Sequence, residues 1–477
     1  MVHPTGAVNQ PPFPEEAGGT KKKSSNRALV KAIVEKVEVA FVFFSFIIFS
    51  DAVLPVILTG GASEGDGFDF SSANYTPLIL CRLINYGLTI FFAAFRYKRT
   101  IYVLLSDPLA VAANVFMAAS FLWSLAPESS FDATISLTFN LLFATYLAGR
   151  FTLKQQLTIL SYALLSIAFL SIVFVYALPQ YGIMGPPVHT GAWRGVFTHK
   201  NLAGKVLVLG VGVMFIMFNE SKHKITNKWL YLFGILCSFY VIRKTRSGGS
   251  LVNFFLIIMV TSMIQVFKAE SRKLALGIIF FITGTVFMTL AYVPIMTFML
   301  GLIGKDPTFT GRTDIWEYVN TMISHRPIFG YGIGGFWRGE AGPSLYIWQR
   351  AGWRVPNAHH GFLDMVLEIG FLGAAIVVLV LWQVVLRGIA RVRLFKTWLS
   401  CWPAVYIIFL CVVNLAETSL IAPNSLFWIL VTTMSLTTSF EAKYLNDFDR
   451  FGLMNEDSPI KDLFAGKIKP SIKASTR

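Results

Sequence analysis

The chain is short of charge. Only 14% of its 477 residues are Asp, Glu, Lys or Arg, against roughly 25% in soluble domains. With 55% hydrophobic residues and a mean hydropathy of +0.60, that excludes an ordinary soluble domain. Cysteine is also scarce. Cys81, Cys237, Cys401 and Cys411 all lie in apolar runs and form no CxxC pair, which argues for buried membrane thiols rather than disulfides or a metal site. No internal repeat is evident and no cleavable signal peptide is read at the start. Residues 1–38, with "TKKKSSNRALVK", read instead as a flexible cytoplasmic tail. The net charge of +15 does not call for nucleic acid, because Lys and Arg accumulate in the cytoplasmic loops of multispanning proteins. Histidine is rare, seven in all. That scarcity draws attention to the adjacent pair in "PNAHHGFLDMVLEIG", His359 and His360.

What is abundant is apolar length. Runs at 39–58, 76–95, 109–125, 132–149, 157–178, 202–218, 229–242, 249–267, 274–303, 361–386, 401–418 and 424–440 predict about twelve membrane-spanning helices in an all-α polytopic protein. The run 274–303 is over-long and holds Pro294, which predicts a kink or an interfacial end. With the N-terminus in the cytoplasm, the inside loops at 96–100, 150–156, 219–228, 268–273 and 387–396 are all basic. The early outside loops, 60–75 and 126–132, have no Lys or Arg. This predicts both termini inside, a transmembrane domain over 39–440, a C-terminal tail over 441–477 and one long outer loop over 304–360. A loop of that length is where function is expected. It carries six Lys/Arg against four Asp/Glu, and four Trp.

The outer side nonetheless receives cations that oppose the orientation signal. "AWRGVFTHKNLAG" brings Arg194, His199 and Lys200 to a span boundary, where they serve either as interfacial anchors or as anion donors. "VIRKTRSGGS" sets Arg243 and Arg246 three apart, so that a helical turn would place them on one face. Ser247 and the glycines would expose backbone donors at the next helix start. An arginine fork suits phosphate oxygens. "GRTDIWEYV" reads as a helix start with Arg312 just before it. "GYGIGG" superficially resembles a nucleotide loop, but no strand precedes it, so a tight turn approaching a ligand or helix is the better reading. His360, Asp364 and Glu368 fall at i, i+4 and i+8 on one helical stripe, with His359 about 100° away. A neutral imidazole near a hydroxyl is a general-base candidate and a neighbouring carboxylate could orient it. A hydrogen-bonded interfacial pair is the alternative. Without a third ligand at helical spacing the pair makes no metal site.

The order "RGVFTHKN", "TRS", "GRTDIW", "HRPIFGYGIGGF" and "AHHGFLDMVLEIGFLG" resembles the O-antigen ligase / polysaccharide polymerase superfamily. It is most like the ExoQ-type exopolysaccharide polymerases, over residues 190–375. The resemblance implies a GT-C-like, metal-independent, inverting glycosyltransferase with no cofactor, acting at the outer face of the bacterial inner membrane. It implies an undecaprenyl-pyrophosphate-linked oligosaccharide as donor. The acceptor would be another lipid-linked repeat (polymerase) or lipid A core (ligase). Arg246, with Arg243 nearby, and Arg312 match the pyrophosphate-holding arginines, and Arg194 and Lys200 match weaker positions. His359 matches the family's histidine, but His360 stands where Asn is usual, which leaves open which imidazole is the base. Asp364 is a candidate support. The bilayer is the surrounding partner, and chain-length regulators or export proteins are candidate partners of the tails. A non-catalytic lipid-oligosaccharide carrier is the remaining reading, disfavoured because carriers place charge near the bilayer midplane.

Overall fold

The computed structural model describes residues 18–63, 73–221, 225–267 and 312–451. These are helical, with only an isolated antiparallel bridge between Ile183 and Trp193 as β structure. The helices are α1 (Gly18–Phe49), α2 (Thr76–Phe95), α3 (Tyr97–Ser106), α4 (Pro108–Ala119), α5 (Pro127–Arg150), α6 (Leu153–Ala177), α7 (Lys200–Glu220), α8 (Ile225–Lys244), α9 (Gly248–Phe267), α10 (Arg312–His325), α11 (Leu345–Ala351), α12 (Gly361–Phe395), α13 (Trp402–Val413) and α14 (Leu426–Phe451).

Six of them are long and apolar enough to cross a membrane: α2, α5, α6, α7, α9 and α12. The α3–α4 pair makes a seventh if it is one span bent by 94°. The count therefore falls below twelve among the described residues, for local reasons. The run 39–58 breaks where Asp51 and Val53 take positive φ, 55° and 69°. The run 109–125 is turned aside at Asp107, whose carboxylate caps α4 by accepting Ala110 N–H. The run 401–418 yields the twelve-residue α13, about 18 Å long, before polar residues begin at Asn414. The expected span 274–303 lies outside the described residues, as does the loop 268–273.

Helix begins at Gly18, within the stretch read as a tail. At the end of that stretch Glu38 is fully buried. Its carboxylate meets Arg96 at 2.6 Å and Arg150 at 2.7 Å and accepts the Tyr146 hydroxyl at 3.1 Å. A buried carboxylate with two arginines and a phenol is paired rather than stranded. The basic stretch 387–396 forms the last turns of α12, with Lys396 as its C-cap, rather than a loop.

These pairs define one end of the bundle. Asp107 is held by Arg387 at 2.6 Å and by Gln383 and Ser435, and Arg391 pairs with Glu441. α12 rises about 24 Å from Arg387 at this charged end to Phe371, where its helix is broken at Gly370, and its second part continues to Gly361, against a hydrocarbon core of about 30 Å. The opposite end is built from polar loops. Between the ends, α1, α5, α6, α7, α9, α12, α13 and α14 share one apolar core around Trp402 and Trp428. Polar side chains join helices inside it, as where Trp428 Nε1–H donates to Asn114 at 3.0 Å and Gln156 to Thr437 at 3.1 Å. The outward faces stay apolar, with Leu83, Ile84 and Phe91 on α2 and Val378, Leu379 and Trp382 on α12 exposed, as a lipid-embedded surface requires.

Candidate functional site

The site is organised by a segment the motif reading passed over, 414–419, "NLAETS", which follows α13. Asn414 O and Glu417 O accept Gly361 N–H at 2.8 and 3.1 Å, fixing the start of α12. Ala416 O accepts from Arg312 at 2.9 Å. The Glu417 carboxylate accepts from Asn201 at 2.8 Å and lies 4.0 Å from Arg312. Lys205 of α7 donates to Thr418 O at 3.2 Å and to Ser419 Oγ. The Thr418 hydroxyl bonds Asp364 and, at 3.3 Å, Asn357. One short loop thus joins the heads of α7, α10 and α12. Its only sequence signal is polarity interrupting two apolar runs.

The histidine pair lies on this hub. Trp316 of α10 donates its indole N–H to Ala358 O at 2.9 Å, and its ring meets His360 edge-on at 5.4 Å, so the Arg312 helix and the histidine turn are one unit. His360 is the N-cap of α12, its Nδ1 accepting Leu363 N–H at 3.3 Å. Burial pushes its imidazole below the ordinary value. His359 takes a left-handed backbone, φ 50°, with its N–H on Asn357 Oδ1 at 2.9 Å and its ring stacked toward Trp353. Such a conformation is uncommon away from glycine and clusters at functional sites; Arg246, at φ 54°, shares it. Asp364 is buried and accepts from Trp337 at 2.8 Å and Ala358 N–H at 3.1 Å. It therefore fixes the backbone that presents His359, rather than an imidazole.

The glycine-rich stretch is a tight turn, and what it approaches is a helix. α12 is interrupted at Gly370 (φ 66°, ψ 179°). The 327–332 loop fills the break: Phe371 N–H donates to Pro327 O and Leu372 N–H to Ile328 O, while Leu367 O and Glu368 O accept from Tyr331 and Gly332. A Cβ at Gly370 would come within 3 Å of Ile328 backbone, so glycine is required there. Together α10, α11 and this loop enclose a second small core, with Ile315, Val319, Phe336, Ile347 and Val355, resting on α12.

The remaining cations divide. Arg246 is exposed in the turn between α8 and α9 and donates to Thr190 O at 3.2 Å. Beside it the first turn of α9 is open, with free space at Gly248 and Gly249, an anion-favouring helix start. Arg243 is exposed in the last turn of α8. The helix ends at Lys244, where Thr245 Oγ1 bonds Ile242 O, so Arg243 and Arg246 do not share one helical face as the spacing predicts. Lys200 opens α7 directly after its cap, His199, whose ring lies 5.5 Å from His189. Arg194 is placed differently from these. It is fully buried, and its guanidinium donates to the carbonyls of Tyr181 (2.8 Å), Gln180 (3.1 Å), Thr198 (3.4 Å), Ala62 and Gly61. It ties 61–63 to the loop before α7. Among the described residues no cluster of three His, Cys, Asp or Glu is placed to hold a metal ion.

Residues 232–378 match the family model described as O-Antigen ligase. The chain is 24% identical over 314 residues, 63% of its length and 69% of the relative's, to "Exopolysaccharide production protein ExoQ" of Rhizobium meliloti (strain 1021). It is 24% identical over 311 residues, 62% of its length and 73% of the relative's, to "Putative polysaccharide ligase RP358" of Rickettsia prowazekii (strain Madrid E). The resemblance read from the motifs is borne out. The family match contains Arg243, Arg246, Arg312, His359, His360 and Asp364 and omits Arg194 and Lys200.

Proposed function

We propose that this chain, alike to O-antigen ligases over the residues that build its site, is a glycosyltransferase of the polysaccharide-polymerase type. It crosses the bacterial inner membrane several times with both termini cytoplasmic. On the periplasmic face it joins repeats carried on undecaprenyl pyrophosphate. The observation that carries this reading is the union of α10 with the histidine turn through Trp316 and Ala358. It puts a phosphate-suited arginine and a hydroxyl-suited imidazole on one scaffold.

Arg246, with the open start of α9, and Arg312 hold the donor pyrophosphate, with Arg243 and Lys200 adding positive field. Cations aimed at the leaving group stabilise charge that grows in the transition state. The acceptor hydroxyl oxygen bonds to the donor sugar's anomeric carbon as the bond from that carbon to pyrophosphate oxygen breaks. The electron pair leaves on undecaprenyl pyrophosphate and the hydroxyl proton passes to a histidine. His359 fits that role better. With Nδ1 accepting Leu363 N–H, a neutral His360 carries its proton on Nε2 and has a donor rather than a base to offer. Attack opposite the leaving group inverts the anomeric centre, and no metal or cofactor takes part.

The ligase reading shares this chemistry, with lipid A core as acceptor. The family description and the Rickettsia relative's name favour it. Purified chain reconstituted with a lipid-linked repeat decides between them. A product ladder without added acceptor supports the polymerase, a single transfer requiring lipid A core supports the ligase, and no new glycosidic bond removes both.

A further inference from the structure

The described part of the outer loop holds four tryptophans, and three are committed to the fold. Trp316 donates to Ala358 O, Trp337 to Asp364 and Trp348 to Val355 O, at 2.9, 2.8 and 2.7 Å. Trp353 is different. Its indole N–H has no partner among the described residues, and its side chain is 40% exposed. Its position is nevertheless built. Gly352 turns the chain out of α11 at φ 75°, Val355 N–H closes on Trp353 O at 3.0 Å, and the Trp348 bond to Val355 O holds that turn. The result is an indole whose ring centroid lies 6.5 Å from that of His359, with the planes 28° apart.

We propose that Trp353 is the platform on which the acceptor's pyranose ring stacks, placing the attacking hydroxyl at His359. The inference rests on the glycosyltransfer reading and adds to it the acceptor subsite. A pyranose carries a face of C–H groups that packs on an aromatic ring and a rim of hydroxyls that hydrogen-bond. An indole offers both an apolar face and one N–H donor. A rigid ring with two torsions pays little entropy on binding. A platform next to the base does what proximity catalysis requires, since it turns an encounter into a positioned attack. The competing role for an exposed tryptophan is anchoring at the membrane interface, which would alter insertion and leave saccharide affinity unchanged.

The test uses the full chain in detergent or liposomes, with the repeat oligosaccharide released from its lipid carrier by mild acid as the probe. Binding is read by saturation-transfer NMR titration and acceptor use by product formation. Trp353→Ala is expected to weaken probe binding and raise the acceptor KM about tenfold or more, while the donor KM changes less than about twofold. Trp353→Phe keeps most of the affinity, and thermal unfolding is unchanged in both variants. If Trp353→Ala binds and uses the probe like the wild type while His359→Ala is inactive, the platform is wrong and the reaction stands. Equal loss of donor and acceptor use with a lowered Tm, or a change in membrane insertion alone, also overturns it. If the wild type makes no glycosidic bond yet binds the probe through Trp353, the saccharide subsite survives and the proposed reaction does not.

Discussion

His359 and His360 adjoin in sequence and differ in what their atoms can do. His360 caps a helix with Nδ1, a task usually given to Ser, Asp or Asn. Burial holds its imidazole below the ordinary 6.5, so the neutral, capping form persists into more acidic solution. Between the two values the unfolded chain binds more protons than the folded one, so stability falls as pH falls. The contribution is whole above pH 6.5 and is lost as pH drops through the lowered folded value. We expect the Tm of the full chain to decline in that window, and His360→Asn, which caps without titrating, to flatten that decline. Identical slopes in the two proteins would remove the argument. His360→Ala should cost about 1 kcal/mol and keep partial turnover, whereas His359→Ala should stop turnover without changing Tm. Full activity in His359→Ala with loss in His360→Ala reverses the roles. Arg194 belongs to a different class. Arg194→Lys keeps the charge but cannot reach five carbonyls with one nitrogen, so it should lose on the order of 1–3 kcal/mol with the donor KM unchanged. A stable variant with a raised donor KM would return Arg194 to the phosphate.

At the scale of elements, the site depends on a helix that is interrupted on purpose. Gly370 sits in a backbone region essentially reserved for glycine, and another residue there costs roughly 1–3 kcal/mol before any clash. Gly370→Ala adds a Cβ against Ile328 backbone. It should lower the Tm and separate the small loop core from α12, with activity lost alongside; a normal Tm would show that the junction tolerates rearrangement. Asp364→Ala leaves Ala358 N–H and the Trp337 indole without their acceptor. A displacement of the histidine turn near 1 Å can cost about 10²-fold in rate, and kcat should fall by that order while donor binding holds; unchanged kcat would exclude the positioning role. Much of this was legible from motifs. The arginines and the histidine pair stood out because charge and imidazole are scarce in apolar surroundings, and the glycine cluster because it marks a turn. The 414–419 hub did not, because it works through backbone carbonyls and short polar side chains whose partners lie as far as 54 and 216 residues away. Arg194 presents a related difficulty. A buried arginine bound to carbonyls has the same sequence signature as one poised for phosphate.

For the whole molecule, charge is divided between two ends about a bilayer apart. At one end acids neutralise basic side chains, Glu38 with Arg96 and Arg150, Asp107 with Arg387, and Glu441 with Arg391. At the other, Arg246 and Arg312 stand at loop and helix starts, with carbonyls and one carboxylate as their partners. α7 links the two, from Lys200 to Glu220, and its 21 residues rise about 31 Å, about the thickness of a hydrocarbon core. Orientation therefore fixes which compartment supplies the substrate. In a variant whose four cysteines are replaced, a single cysteine at exposed Arg338 should react with a membrane-impermeant maleimide on intact spheroplasts. One at exposed Lys98 should react only after permeabilisation. The reverse pattern would put Arg246, Arg312 and the histidines in the cytoplasm, where the Lys- and Arg-rich end ought to be. It would overturn the periplasmic reaction while leaving the fold and the geometry of the site intact.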